Sequence, residues 1–339
     1  SHRILAVNRG EKLGVLKRAL TVPDESYIQY MVRGLEKNSQ SIFNDVKAAA
    51  VADAYKRLMF PALERDIRNE LTETADEQAI KVVGVNLKNL LLQPPLAGHV
   101  IMGLDPGYRT GCKMAIIDAQ GNVLDYGAYY LTNSDKLRKE AQKTLASKIR
   151  KFNVTLLSIG NGTASYETEQ FASTMIEEEK LDCHYIITNE AGASVYSASK
   201  LAIDELPNLD VTIRGAVSIA RRVQDPLAES VKIDPKSIGV GQYQHDVNQK
   251  QLTHTLDQVV ESVVNHVGVE LNTASPAILQ HIAGISSTVA KNIVAFRQEN
   301  GGFTSRKQLL KVPRLGPAAF TQCAGFLRLN GAENPLDNT

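Results

Sequence analysis

The hydrophobic period of the chain changes at residues 93–98 (QPPLAG). Pro94 and Pro95 offer no amide donor and force the preceding residue towards extended backbone, so no helix continues through them. A domain boundary is expected there, with 1–98 as a helical region. Phe43, Val46, Ala50, Ala54 and Leu58 recur at helical steps in that region. Pro61 suits the first position of a new helix marked by Leu63, Ile67 and Leu71. Ile80, Val83, Leu87, Leu90 and Leu91 mark the next one.

Beyond the boundary the period is that of strands. Residues 99–104 form an apolar run ended by Asp105-Pro106-Gly107, and 113–118 and 122–130 form two more across the turn 119–121. Two runs joined by a tight glycine turn predict a β-hairpin. Asn133, Ser134 and Asp135 then cap a helix carrying Leu137, Ala141, Leu145 and Ile149. A buried strand at 156–159, a helix from about Ser165 and a strand at 184–188 follow. The order β-β-β-α-β-α-β-α, with a hairpin leading into crossovers, predicts a ribonuclease-H-like mixed sheet over 99–230. A Rossmann fold would alternate from its first strand.

After a helix-containing connector at 231–272, residues 273–330 repeat one unit. Helical segments flank 283–287 (AGISS) and again 312–317 (VPRLGP), about 30 residues apart. The expected class is therefore α/β plus all-α, with a tandem helix-hairpin-helix domain ahead of a short tail, 331–339. Net charge is only +1, but residues 273–330 hold seven cations and one acid, whereas 99–272 stand at −5. A basic module beside an acidic one points to a polyanionic partner.

Candidate chemistry falls in three places. Asp105 ends the first strand and Glu190 follows the fifth, so both belong to the carboxyl edge of the sheet, where ligands bind. Two such acids can hold Mg²⁺ for phosphodiester hydrolysis, although an aspartate before Pro-Gly also serves simply as a turn residue. The remaining acids run short: Asn161 stands in the loop after the fourth strand, arginines fill 214–222, and Asp225 and Glu229 come late. The turn 160–163 (GNGT) is a phosphate-loop candidate without the lysine of a P-loop. In the repeats, Gly284, Ser286, Ser287, Lys291, Arg314 and Gly316 are the candidate nucleic-acid contacts, glycine bringing backbone amides up to a phosphate. Pro317 removes one amide from the second turn, so the first is expected to be the better phosphate ligand. Such contacts confer affinity without sequence preference.

Other classes find less support. Cys112, Cys183 and Cys323 are odd in number and widely spaced, which fits buried thiols in a reducing cytosol. His245, His254 and His266 are too loosely spaced for a metal site. No run reaches the ~18 apolar residues of a membrane helix, and the opening Ser1-His2-Arg3-Ile4 has no signal-peptide layout, reading as a fragment. An ATP-binding sheet of the actin type would need a second Asp-x-Gly loop. A role for the acidic middle as a protein-interaction platform stays open.

The longer motifs carry a resemblance that covers essentially the whole chain. Residues 99–113 (HVIMGLDPGYRTGCK), 159–164 (IGNGTA), 189–197 (NEAGASVYS), 214–222 (RGAVSIARR), 225–229 (DPLAE) and 232–246 (KIDPKSIGVGQYQHD) resemble the YqgF-type domain and its sequel in the bacterial Tex family of transcription accessory proteins. The hairpins ending VPRLGP follow in the family's order. The resemblance implies a RuvC-like middle domain and similarity to the core of a eukaryotic elongation factor that also chaperones histones. It further implies a nucleic-acid-binding factor acting with the transcription machinery, in the cytoplasm. The family's amino-terminal helix-turn-helix portion is expected to be cut short here and its OB-fold RNA-binding domain to lie outside the sequence. Of the resolvase acids, Asp105 and Glu190 match, while Asn161 and Arg214 stand near positions where nucleases keep carboxylates. The expectation is a backbone-binding protein with no cofactor, Mg²⁺ entering only under the nuclease alternative.

Overall fold

The computed structural model describes residues 1–35, 41–131, 134–332 and 334–338. The chain divides into two compact units, Ser1–Val83 with Gly241–Leu252, and Gly84–Val240 with Thr253–Thr339. In the first unit, α1 (His2–Lys12), α2 (Asp24–Leu35) and α3 (Asn44–Ala54) lead through a π-helical turn, Tyr55–Met59, into α4 (Phe60–Leu91), whose residues from Gly84 on belong to the second unit. Two expectations change here. The chain does not break at Pro61, because the wider π turn joins α3 to α4. The two helices expected from Leu63 to Leu91 are one, since neither glycine nor proline separates Leu71 from Ile80. The stripe Leu63, Ile67 and Leu71 is exposed, as are Phe43, Val46 and Leu58, whereas Ile80, Val83, Leu87 and Leu91 are buried. Arg9 of α1 stacks over the Tyr243 ring at 4.5 Å and donates to the Gln242 carbonyl and to Asp246, tying 241–252 into this unit.

The second unit is built on five strands: β1 (Ile101–Asp105), β2 (Cys112–Ile117), β3 (Val123–Tyr129), β4 (Leu156–Gly160) and β5 (His184–Thr188). Their order is β3-β2-β1-β4-β5, antiparallel within the hairpin and parallel from β1 through β4 to β5. This is the ribonuclease-H-like sheet that the strand order predicts. Asp118 forms the hairpin turn by accepting from the amides of Gln120 and Asn122. On one face, α5 (Asp135–Phe152) and α6 (Ser165–Glu178) cover Met102, Leu104, Met114, Leu157 and Ile159. Ser134 caps α5 through the Leu137 amide, as expected; Asn133 lies outside the described residues.

After β5 come α7 (Ala193–Ala198) and α8 (Lys200–Glu205), and then α9 (Val211–Gln224) lies on the other face. It approaches β1 so closely that a Cβ on Gly103 would stand 2.2 Å from the Ala216 carbonyl oxygen. Ser158, opposite Gly103 on β4, donates to the Ile219 carbonyl at 2.9 Å. Asp225 ends α9 and caps α10 (Pro226–Ser230), and α11 (Gln249–Val267) follows. A short parallel pair, β6 (Val269–Glu270) and β7 (Leu327–Arg328), brackets the hairpins: α12 (Pro276–Leu279) with α13 (Ser287–Asn300), then a 3₁₀ turn, Arg306–Lys311, with α14 (Pro317–Cys323). The second hairpin thus opens on a 3₁₀ segment in place of an α-helix. All three cysteines are free and buried, and no helix among the described residues is long and apolar enough to cross a membrane.

Candidate functional site

The two acids expected at the carboxyl edge do come together. Glu190 follows β5, two strands from β1, so its side chain must cross the end of β4 to reach Asp105. Glycines clear the path. A Cβ on Gly160 would stand 2.2 Å from Glu190 Oε2, and one on Gly162 would stand 1.7 Å from Oε1. The GNGT turn therefore cradles the chain's own carboxylate where a phosphate was considered. The Asn161 side chain accepts from the Glu190 amide at 3.1 Å, and the Asn161 amide donates to the Thr188 carbonyl at 3.0 Å. Burial, with the Glu190 charge adding to it, pushes the Asp105 carboxyl up to about 6 against the opposing pull of Lys113.

Among the described residues, the remaining neighbours add no further acid to this pair. The residue that α9 presents to Asp105 is Gly215, whose Cβ would stand 2.7 Å from Oδ2. Arg214 turns away and donates to the Leu206 and Ser197 carbonyls. Asp225 is spent on the Ala228 amide. Glu229 is buried, accepts from Ser218 at 2.7 Å and pairs with Lys232 at 2.9 Å. Among the described residues, no three of His, Cys, Asp and Glu gather into a metal-holding group. Asp105 and Glu190 are the two carboxylates at this edge, whereas a two-ion mechanism draws on more.

Sequence reasoning missed Arg222. It is 4% exposed, and its Nη1 donates to the Asn189 and Ala191 carbonyls at 2.6 and 2.8 Å, on either side of Glu190. Its Nε and Nη2, like Glu190 Oε2, are buried without a hydrogen-bond partner among the described residues. Burial pulls this guanidinium down from its ordinary pKa, opposed by the charges of Glu229 and Glu190. A buried cation has thus been built beside the carboxylate pair. The sequence signal was Arg222's place in a mostly apolar helix, two turns after Arg214 and one turn after Ser218.

The Asp105 pKa has a thermodynamic consequence. Between about pH 4 and 6 the folded state holds more protons than the unfolded one, so stability falls as pH rises through that window. Asp105→Asn is expected to raise stability at pH 8 by on the order of 2 kcal/mol, a gain that disappears near pH 4. Thermal melts across pH check this, and parallel profiles for the two proteins would refute it.

The hairpin residues lie elsewhere in the same unit. Gly284 has φ +80°, and a Cβ there would meet Gln322 Cβ at 2.9 Å and the Ala319 carbonyl at 3.2 Å, so this glycine lets the first turn pack on α14. Arg314 occupies the equivalent left-handed position of the second turn, at φ +67°. Asn265 holds the first turn through the His281 carbonyl and Ala283 amide, and Asn292 holds the second through the Pro313 carbonyl. Ser286 caps the Val289 amide, leaving Ser287 and Thr288 as first-turn amides with no acceptor inside α13. Gly316 and Pro317 open α14 with no side-chain cap, leaving Ala318 and Ala319 in the same position. The missing proline amide and the missing cap offset each other, so the two turns offer equal numbers of donors. Lys291 is exposed, one turn into α13.

Comparison with known proteins places all three regions in one lineage. The model of the Tex central region matches residues 1–83, that of the Tex protein YqgF-like domain 99–224, and that of the helix-hairpin-helix motif 264–328. The chain is 51% identical to the Bacillus subtilis protein YdcI over 100% of its length and 47% of that protein's. It is 50% identical to the transcriptional accessory protein Tex of Neisseria gonorrhoeae over 99% of its length and 45% of that protein's. It is 45% identical to human S1 RNA-binding domain-containing protein 1 over 97% of its length and 34% of that protein's. The chain thus spans less than half the length of these relatives. With its three regions matched in order and half of its residues shared with named members, the chain belongs to the Tex family.

Proposed function

We propose that this chain grips the backbone of nucleic acid through its two hairpins, without reading sequence, and that its ribonuclease-H-like sheet is a scaffold. The observation that carries the reading is the pair of matched turns, each with first-turn amides open at a helix amino terminus, in a segment of seven cations and one acid. Gly284, Ser286, Ser287, Lys291, Arg314 and Gly316 are the assigned contacts or shape them. The scaffold reading is supported by Gly215, Asn161 and Arg222 around the carboxylate pair, where a nuclease needs further acids. Action beside the transcription machinery is part of the proposal, in keeping with the name of the Neisseria relative, a transcriptional accessory protein, as are boundaries near 98, 230, 272 and 330.

The test measures binding and cleavage together on labelled single-stranded, duplex and branched substrates, with and without Mg²⁺ or Mn²⁺. Binding should weaken steeply with salt, losing about 0.7–0.9 in log K per phosphate contact for each tenfold rise. Asp105→Asn should leave binding unchanged. Metal-dependent cleavage abolished by that substitution would favour the nuclease reading, and salt-independent affinity would refute the hairpin one. Arg314→Gly separates shape from charge. Relief of the left-handed strain should stabilise the fold by about 0.5–1 kcal/mol while loss of the cation weakens binding.

A further inference from the structure

We propose that the solvent face of α5 is a second binding site for a nucleic-acid backbone, carried by the ribonuclease-H-like sheet and separate from the hairpins. Helix α5 holds seven cations and two carboxylates, although it lies within the segment 99–272 whose charge is −5. Its apolar face, Ala141, Leu145, Ala146 and Ile149, is buried in the core. Opposite that face, Lys136, Lys139 and Lys143 fall within about 60° of one another around the axis and span about 10 Å along it. All three are exposed. The ion pairs of this helix use Lys148, with Asp125, and Arg150, with Glu179 at 3.1 Å. The three lysines have no ionic partner among the described residues.

The arrangement works against the isolated helix. Lys136 and Lys139 stand near its amino terminus, the positive end of the helix dipole. Lys139 and Lys143 are like-charged neighbours one turn apart. Asp135, one turn before Lys139, and Glu140, one turn after Lys136, are the two carboxylates beside these three ammonium groups and the helix's four other cations. Adjacent α6 has four carboxylates and no cation, yet its polar contacts with α5 run through Gln142 and Glu178, through Arg138 over the Phe171 ring and, just past its end, through Arg150 and Glu179. The stripe keeps a net positive charge.

A polyanion relieves both repulsions at once. A duplex presents one phosphate per about 3.4 Å along each strand, so three ammonium groups over about 10 Å can face about three successive phosphates. An anionic bilayer fits less well, because the apolar face that would enter it is already part of the protein core. Contacts of this kind position a duplex without reading bases.

The test uses the full chain and a labelled duplex of mixed sequence. The triple variant Lys136→Glu/Lys139→Glu/Lys143→Glu should bind at least ~10-fold more weakly at low salt, with the log K against log[salt] slope reduced by about 2–3. Its melting temperature should hold, since these side chains face solvent. The glutamine triple should show the same loss in smaller measure, guarding against an effect of added negative charge. As a direct readout, bound duplex should shield the three lysines from an amine-acetylating reagent. The site shares its class of partner with the hairpin reading but not its residues, so Arg314→Gly should weaken binding while leaving the shielding intact. Duplex binding with unchanged slope and unshielded lysines would overturn this site and leave the hairpins; no duplex binding would overturn both. Loss of binding to polyglutamate alone would assign the face to an acidic protein segment and overturn the proposal.

Discussion

Gly103→Ala lowers the stability of the sheet unit by about 3 kcal/mol. The added methyl would sit 2.2 Å from the Ala216 carbonyl oxygen, 2.9 Å from Ala220 Cβ and 3.0 Å from the Ala220 amide. These are mostly backbone atoms of a helix buried on nearly every side, so no rotamer change can accommodate it. Either α9 lifts from β1 or the strand bends, and each exposes apolar surface. Urea unfolding followed by far-UV circular dichroism measures the loss; the chain has no tryptophan to serve as a fluorescence probe. Gly34→Ala is the matched control: it lies within α2 with nothing among the described residues within 4 Å of the new methyl, so it should be neutral or stabilising by up to ~1 kcal/mol. Equal effects of the two substitutions would show that α9 does not need its close approach.

The second large effect belongs to Lys232. Its ammonium lies 2.9 Å from Glu229 and 3.1 Å from Glu205, and 5.5 Å from the centre of the Tyr196 ring. The Tyr196 hydroxyl is within hydrogen-bond distance of Glu205, which Arg221 also approaches at 3.4 Å. Burial works to raise the Glu205 pKa, but the neighbouring Lys232, Tyr196 and Arg221 together hold it below the usual carboxylate range. Lys232→Met removes the salt-bridge partner of Glu229, 2% exposed, and leaves it the charge of Arg222 without a direct ion pair among the described residues. The expected cost is about 3–5 kcal/mol. Lys232→Met/Glu229→Gln should recover most of it, because a buried amide no longer needs a counter-charge. A double variant as unstable as the single one would mean that Lys232 acts through Glu205 or through packing, and not through Glu229.

This network also shows where sequence reading stopped. Glu229 and Lys232 lie in the stretch that most specifically carries the family resemblance, yet Glu229 first drew attention as a late metal acid. Nothing in the spacing of 225–232 shows that α10 turns Glu229 onto Ser218 and Lys232. The site has the same division. Asp105 and Glu190 could be placed at one sheet edge because a strand's end is visible as the close of an apolar run. That Gly160 and Gly162 leave room for Glu190 could not be seen, because a glycine in a turn looks the same whether it serves backbone conformation or a neighbour's side chain. Arg222 escaped notice because arginine on a helix is ordinarily solvated, and only packing reveals it as buried.

The sequence by itself determined the order of strands and helices in the sheet, the end of the helical period ahead of Pro94, the two hairpins and the family. All of these follow from period, turn residues and motif, which are properties of neighbouring positions. In the helical region the period named the right residues, but not that one helix runs from Phe60 to Leu91 or that Leu63, Ile67 and Leu71 face solvent. Tertiary structure alone decided which carboxylates meet and which cations are buried beside them. It also showed that the amides of the two hairpins balance, and that three lysines of α5 share one uncompensated face. Each of these depends on distances between groups far apart in the chain, or on which side of an element the core covers, and local spacing carries neither.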